Sequence, residues 1–161
     1  MGVILLYLSL LLNQDMLFIP AVLLVAFLID KKAVYFVIAA IILIVLVKPI
    51  IAEQRPCFYY LSCESGYGFP SGHATLLAAL AFSQIKKKSF IPLLLLAIFV
   101  GYTRVFLGVH TPEQVFAGFG LAALILEMSK IMKWSYEWEY ELRHIKNIFD
   151  KYIKRKFFRG N

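Results

Sequence analysis

Three short segments carry most of the side chains in this chain that could do chemistry on an anion. These side chains are three cations and two histidines, namely Lys48, Arg55, Arg104, His73 and His110. Guanidinium forks and a lysine point charge suit phosphate oxygens, and a histidine can move a proton or act as a nucleophile. If the segments converge, they predict a site that binds a phosphate group and acts on it.

Two of the segments also carry the signals of helix starts. Ser71 precedes the uncharged run 74–82 and is a candidate N-cap, while Thr111 to Gln114 combines a capping threonine, a first-turn proline and a capping-box glutamine. The N-terminus of a helix presents unpaired N–H groups and a partial positive charge. We therefore expect both helices to direct their N-termini at one anion.

The composition predicts that these segments belong to a membrane protein. The 161 residues are 61% hydrophobic and 17% charged, whereas ordinary soluble domains are about 45–50% apolar and about 25% charged. The net charge of +7 could indicate nucleic-acid binding, but the basic residues cluster between apolar runs and in the C-terminal tail, as membrane topology favours. We expect an all-α integral-membrane bundle, embedded in the lipid bilayer, with no nucleic-acid partner.

The apolar runs predict the helices that position the chemistry. The predicted spans are 16–29, 33–47 with a continuation past Pro49 towards Arg55, 71–85, 89–106 and 111–132. The run from Gly2 to Leu12 is short for a crossing of about 20 residues. It is either an interfacial segment or a short or tilted sixth span. Because Lys48 and Arg55 are close to two helical turns apart, the continued helix would place both on one face.

The distribution of lysines predicts an orientation. When spans are counted, Lys31-Lys32, the run 86–88 and the C-terminal tail fall on one side, which the positive-inside rule makes cytoplasmic. The loop 57–69 and the turn at His110 then share the extracytoplasmic face. The predicted site therefore lies outside the cytoplasm, and the C-terminus lies inside it.

Few carboxylates are available to neutralise the cations of this face. They are Glu53, Glu64 and Glu113. Charges near a bilayer are costly unless they pair or line a wet cavity, so cations in excess of carboxylates favour an anionic ligand. The alternative is that Arg55 and Arg104 pair with Glu53 and Glu113, and that Lys48 extends to the headgroups.

In order and spacing, the three segments resemble the signature motifs of the type-2 phosphatidic acid phosphatase family. The family pattern is Lys, six residues, Arg-Pro; then Pro-Ser-Gly-His; then Ser-Arg, five residues, His, three residues, Asp. The match runs from about Lys48 to Gln114. It implies a six-helix bundle. The family includes lipid phosphate and undecaprenyl-pyrophosphate phosphatases, glucose-6-phosphatase and soluble vanadium haloperoxidases.

The resemblance also implies a role for each matching residue. The residues that would bind the phosphoryl oxygens are Lys48, Arg55, Ser71, Gly72 and Arg104. His110 would attack phosphorus and form a phosphohistidine, and His73 would protonate the leaving oxygen. We expect no metal and no cofactor, because the cations occupy the place that a metal would fill.

The chain departs from the family pattern at two positions. Thr103 replaces the usual Ser and keeps the hydroxyl, and Gln114 replaces the Asp that orients the nucleophilic histidine. A glutamine carbonyl can still accept the imidazole N–H of His110 if its amide is turned correctly. The glucose-6-phosphatase branch resembles this chain in having Gln there. Glu113 could partly substitute, but we expect it to point elsewhere.

Two further features lie outside the motifs. Cys57 and Cys63 share the extracytoplasmic loop, where either a disulfide or free thiols are chemically permitted. From Trp134 onward, large residues recur at three- and four-residue spacing among charged ones. This pattern predicts an amphipathic tail, 134–161, that follows a membrane domain, 1–133, and lies on the cytoplasmic membrane surface. A solvated or dimer-forming helix fits it nearly as well.

The function expected from these residues is a membrane-bound, metal-independent phosphatase. Its substrate would be a membrane lipid phosphate, such as phosphatidic acid, or a polyprenyl pyrophosphate, such as undecaprenyl pyrophosphate. A small soluble phosphate ester is the alternative substrate. A catalytically silent protein that binds or transports a lipid phosphate is the alternative of another class, since Gln114 stands in place of Asp.

Overall fold

The computed structural model of the chain describes residues 15–56 and 66–132, and these residues form five α-helices and no strand. The helices are α1 (Asp15–Ile29), α2 (Lys31–Ile51), α3 (Gly72–Ser83), α4 (Phe90–Phe106) and α5 (Pro112–Met132). The predicted all-α class is thereby confirmed for the described residues. The segment 2–12, the pair Cys57 and Cys63, and the predicted tail 134–161 lie outside them.

The chain divides into two compact units, Met1–Leu126 and Glu127–Asn161. The helix packing and the candidate site described below belong to the first unit. Of the second unit, the structure describes the last residues of α5, where Lys130 pairs with Glu127 across 2.5 Å.

Helix α3 is the buried centre of the first unit. It packs against α1, α2 and α4, and every residue from His73 to Ala81 is buried. Alanines at positions 74, 78, 79 and 81 let the neighbouring helices approach closely. The core around them is completed by larger apolar side chains, including Leu76, Leu80, Val37 and Val100.

The turns between helices collect at two opposite ends of this unit. Asp30, which caps α2 by accepting the N–H of Lys32, forms an ion pair with Lys87 in the turn that follows α3. The α1–α2 and α3–α4 turns therefore lie at one end. Because each helix runs from one end of the unit to the other, the N-termini of α3 and α5 are at the opposite end, as are the ends of α2 and α4.

The outward faces of the helices are strongly apolar. Ile50 is 79% exposed, Phe116 75% and Leu28 72%, and many other large hydrophobic side chains on α1, α2, α4 and α5 are exposed as well. Soluble proteins rarely expose such continuous apolar surface. Helices α2 and α5 are each long and apolar enough to cross a membrane. These observations indicate a membrane environment, while the count of five or six spans stays a prediction.

The predicted continuation of α2 past Pro49 is confirmed, but its extension to Arg55 is wrong. The helix ends at Ile51, because Ala52 adopts a left-handed conformation (φ 51°, ψ 27°) and donates its N–H to Lys48 O. This is a common helix C-cap geometry. Arg55 also precedes a proline, which disfavours the helical region for its backbone. Lys48 and Arg55 therefore do not share a helix face, and Arg55 reaches the site from the segment after the helix.

Candidate active site

The Pro70–His73 motif forms the N-terminus of α3, as predicted. Ser71 occupies the N-cap position, but its side chain makes no capping bond. Ser71 Oγ is fully buried, and within the described part of the chain it has no hydrogen-bond partner. The Ser71 carbonyl accepts the hydroxyl of Thr75 at 2.8 Å.

His73 lies in the first turn of α3 and is only 3% exposed. Its ring packs against the ring of Phe18 from α1, with centroids 4.1 Å apart and an interplanar angle of 38°. Because Phe18 covers one side, His73 is not the water-facing residue that a merely capped helix would show. The ring is instead held at the end of the bundle where α3 begins.

The third motif, Thr103 to Gln114, reverses direction between α4 and α5. Arg104, wholly buried in the last turn of α4, accepts at its carbonyl the N–H groups of Val109 (3.2 Å) and His110 (3.3 Å). This return is made at Gly108, whose φ of 67° favours glycine. The backbone thus holds the imidazole of His110 close to the turn that carries Arg104.

The side chains of His110 and Gln114 are in direct contact. The distance from His110 Nδ1 to Gln114 Oε1 is 2.8 Å, and both residues are buried. The predicted capping box of α5 is also confirmed. Gln114 N–H donates to Thr111 Oγ1, and Thr111 N–H donates to Gln114 Oε1, each at 3.3 Å. One glutamine therefore caps the helix and contacts the histidine.

The other end of the Gln114 amide contacts a segment that sequence reasoning did not connect with it. Gln114 Nε2 donates to Glu53 Oε1 at 2.6 Å and to Gln54 O at 3.2 Å. Gly68 donates its N–H to Glu53 O at 2.7 Å. Glu53 was considered only as a partner of Arg55. No spacing in the sequence relates it to a residue 61 positions later, so no signal was available.

The burial of the ring and the three cations together lower the pKa of His110. Burial of the ring is the main cause that lowers the pKa of His110, from 6.5 to about 3. The positive charges of Arg55, Arg104 and Lys48 lower it further, while the hydrogen bond to Gln114 opposes them. The structure therefore brings the cations within electrostatic reach of a histidine that is neutral at physiological pH.

The remaining residues singled out in the sequence differ in their contacts and exposure. Thr103 Oγ1 donates to Val100 O within α4 at 2.8 Å, so its hydroxyl is occupied inside the helix. Glu113 is exposed, as expected. Lys48 Nζ donates to Tyr67 O at 3.1 Å, which ties the end of α2 to the segment before α3. Gly72 is half-buried in the first turn of α3.

A metal site in a protein requires a cluster of histidine, cysteine or carboxylate side chains. In the ranges 15–56 and 66–132, no three side chains of His, Cys, Asp or Glu come together as metal ligands. Arg55, Arg104 and Lys48 instead lie within electrostatic reach of His110, and Ser71 donates its N–H to Gln114 O at 2.9 Å, which places the start of α3 beside the start of α5. These groups are suited to holding an oxyanion and to nucleophilic and acid–base chemistry.

The sequence of this chain is similar to those of known proteins. The family model described as PAP2 superfamily matches residues 31–138. Phosphatidylglycerophosphatase B of Bacillus subtilis (strain 168) is 36% identical over 96 residues, which are 52% of this chain and 47% of that protein. Glucose-6-phosphatase catalytic subunit 1 of Haplochromis xenognathus is 29% identical over 96 residues, 47% of this chain and 35% of that protein. This chain thus spans less than half the length of either curated relative.

A solved structure shows the same fold. It is the crystal structure of the first transmembrane PAP2-type phosphatidylglycerolphosphate phosphatase from Bacillus subtilis. The TM-score is 0.60 at 23% sequence identity, and the likeness covers 82% of this chain and 76% of that chain.

Proposed function

Because the chain belongs to the PAP2 superfamily, we propose that it is a membrane phosphatase that hydrolyses a lipid phosphate or polyprenyl pyrophosphate through a phosphohistidine. The observation that carries this proposal is the 2.8 Å contact between His110 Nδ1 and Gln114 Oε1 in a buried setting under the charge of three cations. It supplies an oriented, neutral imidazole beside groups that attract a phosphate.

The orientation of the imidazole decides which nitrogen can attack. A carbonyl oxygen only accepts hydrogen bonds, so the ring nitrogen that faces Gln114 Oε1 carries the proton. His110 Nε2 then keeps its lone pair. Because the lowered pKa keeps the ring neutral, this lone pair is available at physiological pH.

The reaction follows in two steps. In the first, the lone pair of His110 Nε2 attacks phosphorus, the bond from phosphorus to the leaving oxygen breaks, and that oxygen takes a proton from His73. In the second, water attacks phosphorus and gives a proton back to His73, while the phosphorus–nitrogen bond breaks and returns its electrons to His110. The products are the dephosphorylated substrate and inorganic phosphate.

The charge that builds on the phosphoryl oxygens requires fixed positive groups. Arg104 and Arg55 provide guanidinium donors, Lys48 provides a point charge, and Ser71 adds a buried hydroxyl. Preorganised donors of this kind supply most of the catalysis in phosphoryl transfer. They also fill the role that a metal ion has in other phosphatases, so we propose that the reaction proceeds without one.

An apolar groove beside the site favours a lipid as the substrate. The groove, of about 520 Å³, runs between α4 and α5. One end lies at Val105 and Pro112, next in sequence to Arg104 and Thr111, and the walls include Ile98 and Phe116. We propose that it holds the hydrocarbon chain of the substrate while the phosphate lies among the cations. A small soluble ester, as the glucose-6-phosphatase name suggests for that relative, would leave the groove without a role.

The experiment that tests the enzyme uses the purified full chain in detergent. Phosphate release is measured with phosphatidylglycerophosphate, phosphatidate, undecaprenyl pyrophosphate and glucose 6-phosphate, with and without EDTA. We expect release from a lipid that survives EDTA and falls by at least about 10³-fold in His110→Ala. His144→Ala, which alters the third histidine of the sequence, is the matched control and should retain activity. Binding of lipid phosphate without any release would establish the silent binding protein instead.

A second measurement tests the lipid groove. Ile98→Trp fills the groove with a larger ring, so we expect kcat/KM for a long-chain lipid phosphate to fall about ten-fold. A short-chain analogue should be affected much less. Leu96→Trp, an equal enlargement on the same helix at a residue that does not line the groove, is the control. Equal losses for both chain lengths would contradict the proposed place of the hydrocarbon chain.

A further inference from the structure

The amide of Gln114 is held at both of its ends. At one end, Nε2 donates to Glu53 Oε1 (2.6 Å) and to Gln54 O (3.2 Å). At the other end, Oε1 lies 2.8 Å from His110 Nδ1 and accepts the N–H of Thr111. Every hydrogen-bonding position of the amide group therefore faces a defined partner.

These partners determine which way the amide is turned. An amide rotated by 180° would present its NH₂ group to His110 and its oxygen to Glu53. The carboxylate of Glu53 and the carbonyl of Gln54 only accept hydrogen bonds, and the N–H of Thr111 only donates. The rotated amide would place oxygen against oxygen at one end and N–H against N–H at the other. The surroundings therefore permit one orientation.

The orientation of the amide sets the tautomer of His110. With Oε1 towards the ring, Nδ1 carries the proton and Nε2 keeps its lone pair. With NH₂ towards the ring, Nδ1 would have to accept, the proton would move to Nε2, and the ring could not attack from that nitrogen. In serine proteases, replacing the aspartate beside the catalytic histidine by an amide causes this same failure and lowers turnover about 10⁴-fold.

We propose that Glu53 is a positioning residue of the active site, which acts through the Gln114 amide to fix the Nδ1–H tautomer of His110. With Glu53 in place, Gln114 can orient the imidazole of His110 as the aspartate of the family pattern would. The catalytic consequence rests on the proposed function, in which His110 is the nucleophile. The tautomer of His110 does not depend on that function.

The negative charge of Glu53 also stabilises the positively charged ring that forms during the reaction. When Nε2 bonds to phosphorus, the imidazole ring becomes positively charged. The carboxylate of Glu53 polarises the amide, so that Oε1 of Gln114 becomes more negative where it meets the ring. This polarisation stabilises the ring in its charged state.

Gly68 completes this arrangement. A Cβ atom at position 68 would lie 2.7 Å from both Oε1 and Nε2 of Gln114, so glycine backbone packs directly on the face of the amide. The N–H of Gly68 also donates to Glu53 O. The segment before α3 thus holds the amide and its carboxylate partner against each other.

The first test compares two carboxylates near the same helix end. We expect Glu53→Ala to lower kcat roughly 10–100-fold, the usual cost of losing a group that orients a ligand or catalytic residue, with little change in KM. Glu113→Gln removes the same charge from an exposed carboxylate that interacts with Thr111 and not with the Gln114 amide, and it should keep kcat. Wild-type kcat in Glu53→Ala would overturn the proposal.

Exchanging the side chains at positions 53 and 114 tests whether Glu53 positions the Gln114 amide or only stabilises the local structure. Gln114→Glu alone sets two carboxylates against each other and should lose most of its activity. In the double variant Glu53→Gln/Gln114→Glu, the new glutamine can donate to the new carboxylate, which can accept from His110. We expect the double variant to exceed Gln114→Glu by about ten-fold or more. If adding Glu53→Gln gives no recovery, the two residues do not act as proposed.

The tautomer is read directly by ¹⁵N NMR of histidine-labelled protein, with His110→Gln to assign the signals. Wild type should show a protonated Nδ1 and an unprotonated Nε2, and Glu53→Ala should show the proton shared with Nε2. A tautomer that is unchanged in Glu53→Ala overturns the proposal, whatever happens to kcat. If wild type hydrolyses nothing, the proposed function fails, and the NMR result still decides the role of Glu53.

Discussion

At the scale of the residue, the site depends on His110 being neutral. Its burial and the charges of Arg55, Arg104 and Lys48 lower its pKa to about 3. An imidazole with a lowered pKa binds a proton only at a lower pH, so His110 stays uncharged at every pH well above 3. In the unfolded chain the same ring protonates near its usual 6.5. The stability contributed by the neutral ring is therefore lost as pH falls from 6.5 towards 3.

This property gives a prediction for the titration of His110. Its ¹⁵N shifts, assigned with His110→Gln, should remain those of a neutral ring from pH 8 down to pH 5. An ordinary histidine would titrate with a midpoint near 6.5 in this interval. A midpoint above pH 6 would show that the cations and the burial do not control the ring as described.

Ser71 gives a second prediction, because its effects on stability and on activity should have opposite signs. Its hydroxyl is buried and makes no hydrogen bond to the described residues, which is an unfavourable state without a ligand. Ser71→Ala should leave the free energy of unfolding unchanged or raise it by up to about 1 kcal/mol. Activity should fall about ten-fold, since a donor to the phosphate is lost.

The control for Ser71 is a serine at the other end of the same helix. Ser83 Oγ donates to Leu80 O at 2.6 Å, so Ser83→Ala removes a bond that is made. It should leave activity intact and should not raise the thermal unfolding midpoint. If Ser71→Ala destabilises the protein while activity is retained, the hydroxyl has a structural role and does not bind substrate.

At the scale of the element, the end of α2 shows what the sequence could and could not predict. The apolar runs predicted the start of every described helix to within two residues, because a membrane helix is defined by where charge and turn residues interrupt it. Ala52, just beyond the end of α2, is apolar like Ile50 and Ile51 before it, so hydropathy could not locate the left-handed turn at Ala52. That turn directs Glu53 to Gln114, and for this reason the contact was missed.

The contacts within each motif, in contrast, could be predicted from the sequence. Their spacing is local: Ser71 and His73 share one helix start, and His110 directly precedes the capping box that contains Gln114. Local spacing is visible in sequence, whereas a partner far along the chain depends on the path of the backbone. The motif residues could therefore be predicted, but Glu53 and Gly68 could not.

Ala52 gives the prediction that belongs to this scale. A non-glycine residue in the left-handed region costs about 1 kcal/mol or more, so Ala52→Gly should raise the thermal unfolding midpoint in detergent. Ala40→Gly is the matched control, because Ala40 is buried within α2, where glycine costs roughly 0.5–1 kcal/mol. The same substitution should thus have opposite signs at the two positions. Destabilisation at both would mean that Ala52 is not in a left-handed cap.

At the scale of the whole molecule, the polar chemistry and the basic turns lie at opposite ends of the first unit. The turns that contain Asp30 and Lys87 meet in an ion pair at one end. The N-termini of α3 and α5 lie at the other end, with His73 and His110. If the bundle spans the bilayer, the basic end is cytoplasmic by the positive-inside rule, and the site opens at the extracytoplasmic surface.

This orientation can be tested with the two cysteines of the chain. In the sequence, Cys57 and Cys63 fall between Arg55, which acts on His110, and the start of α3, so we expect them on the same side of the membrane as the site. After mild reduction, an impermeant maleimide added to intact cells should label them. A Cys57→Ser/Cys63→Ser variant with Ser89→Cys, placed in the turn beside Lys87, should be labelled only after the cells are opened. The reverse pattern would place the site in the cytoplasm, where its lipid would have to come from the inner leaflet.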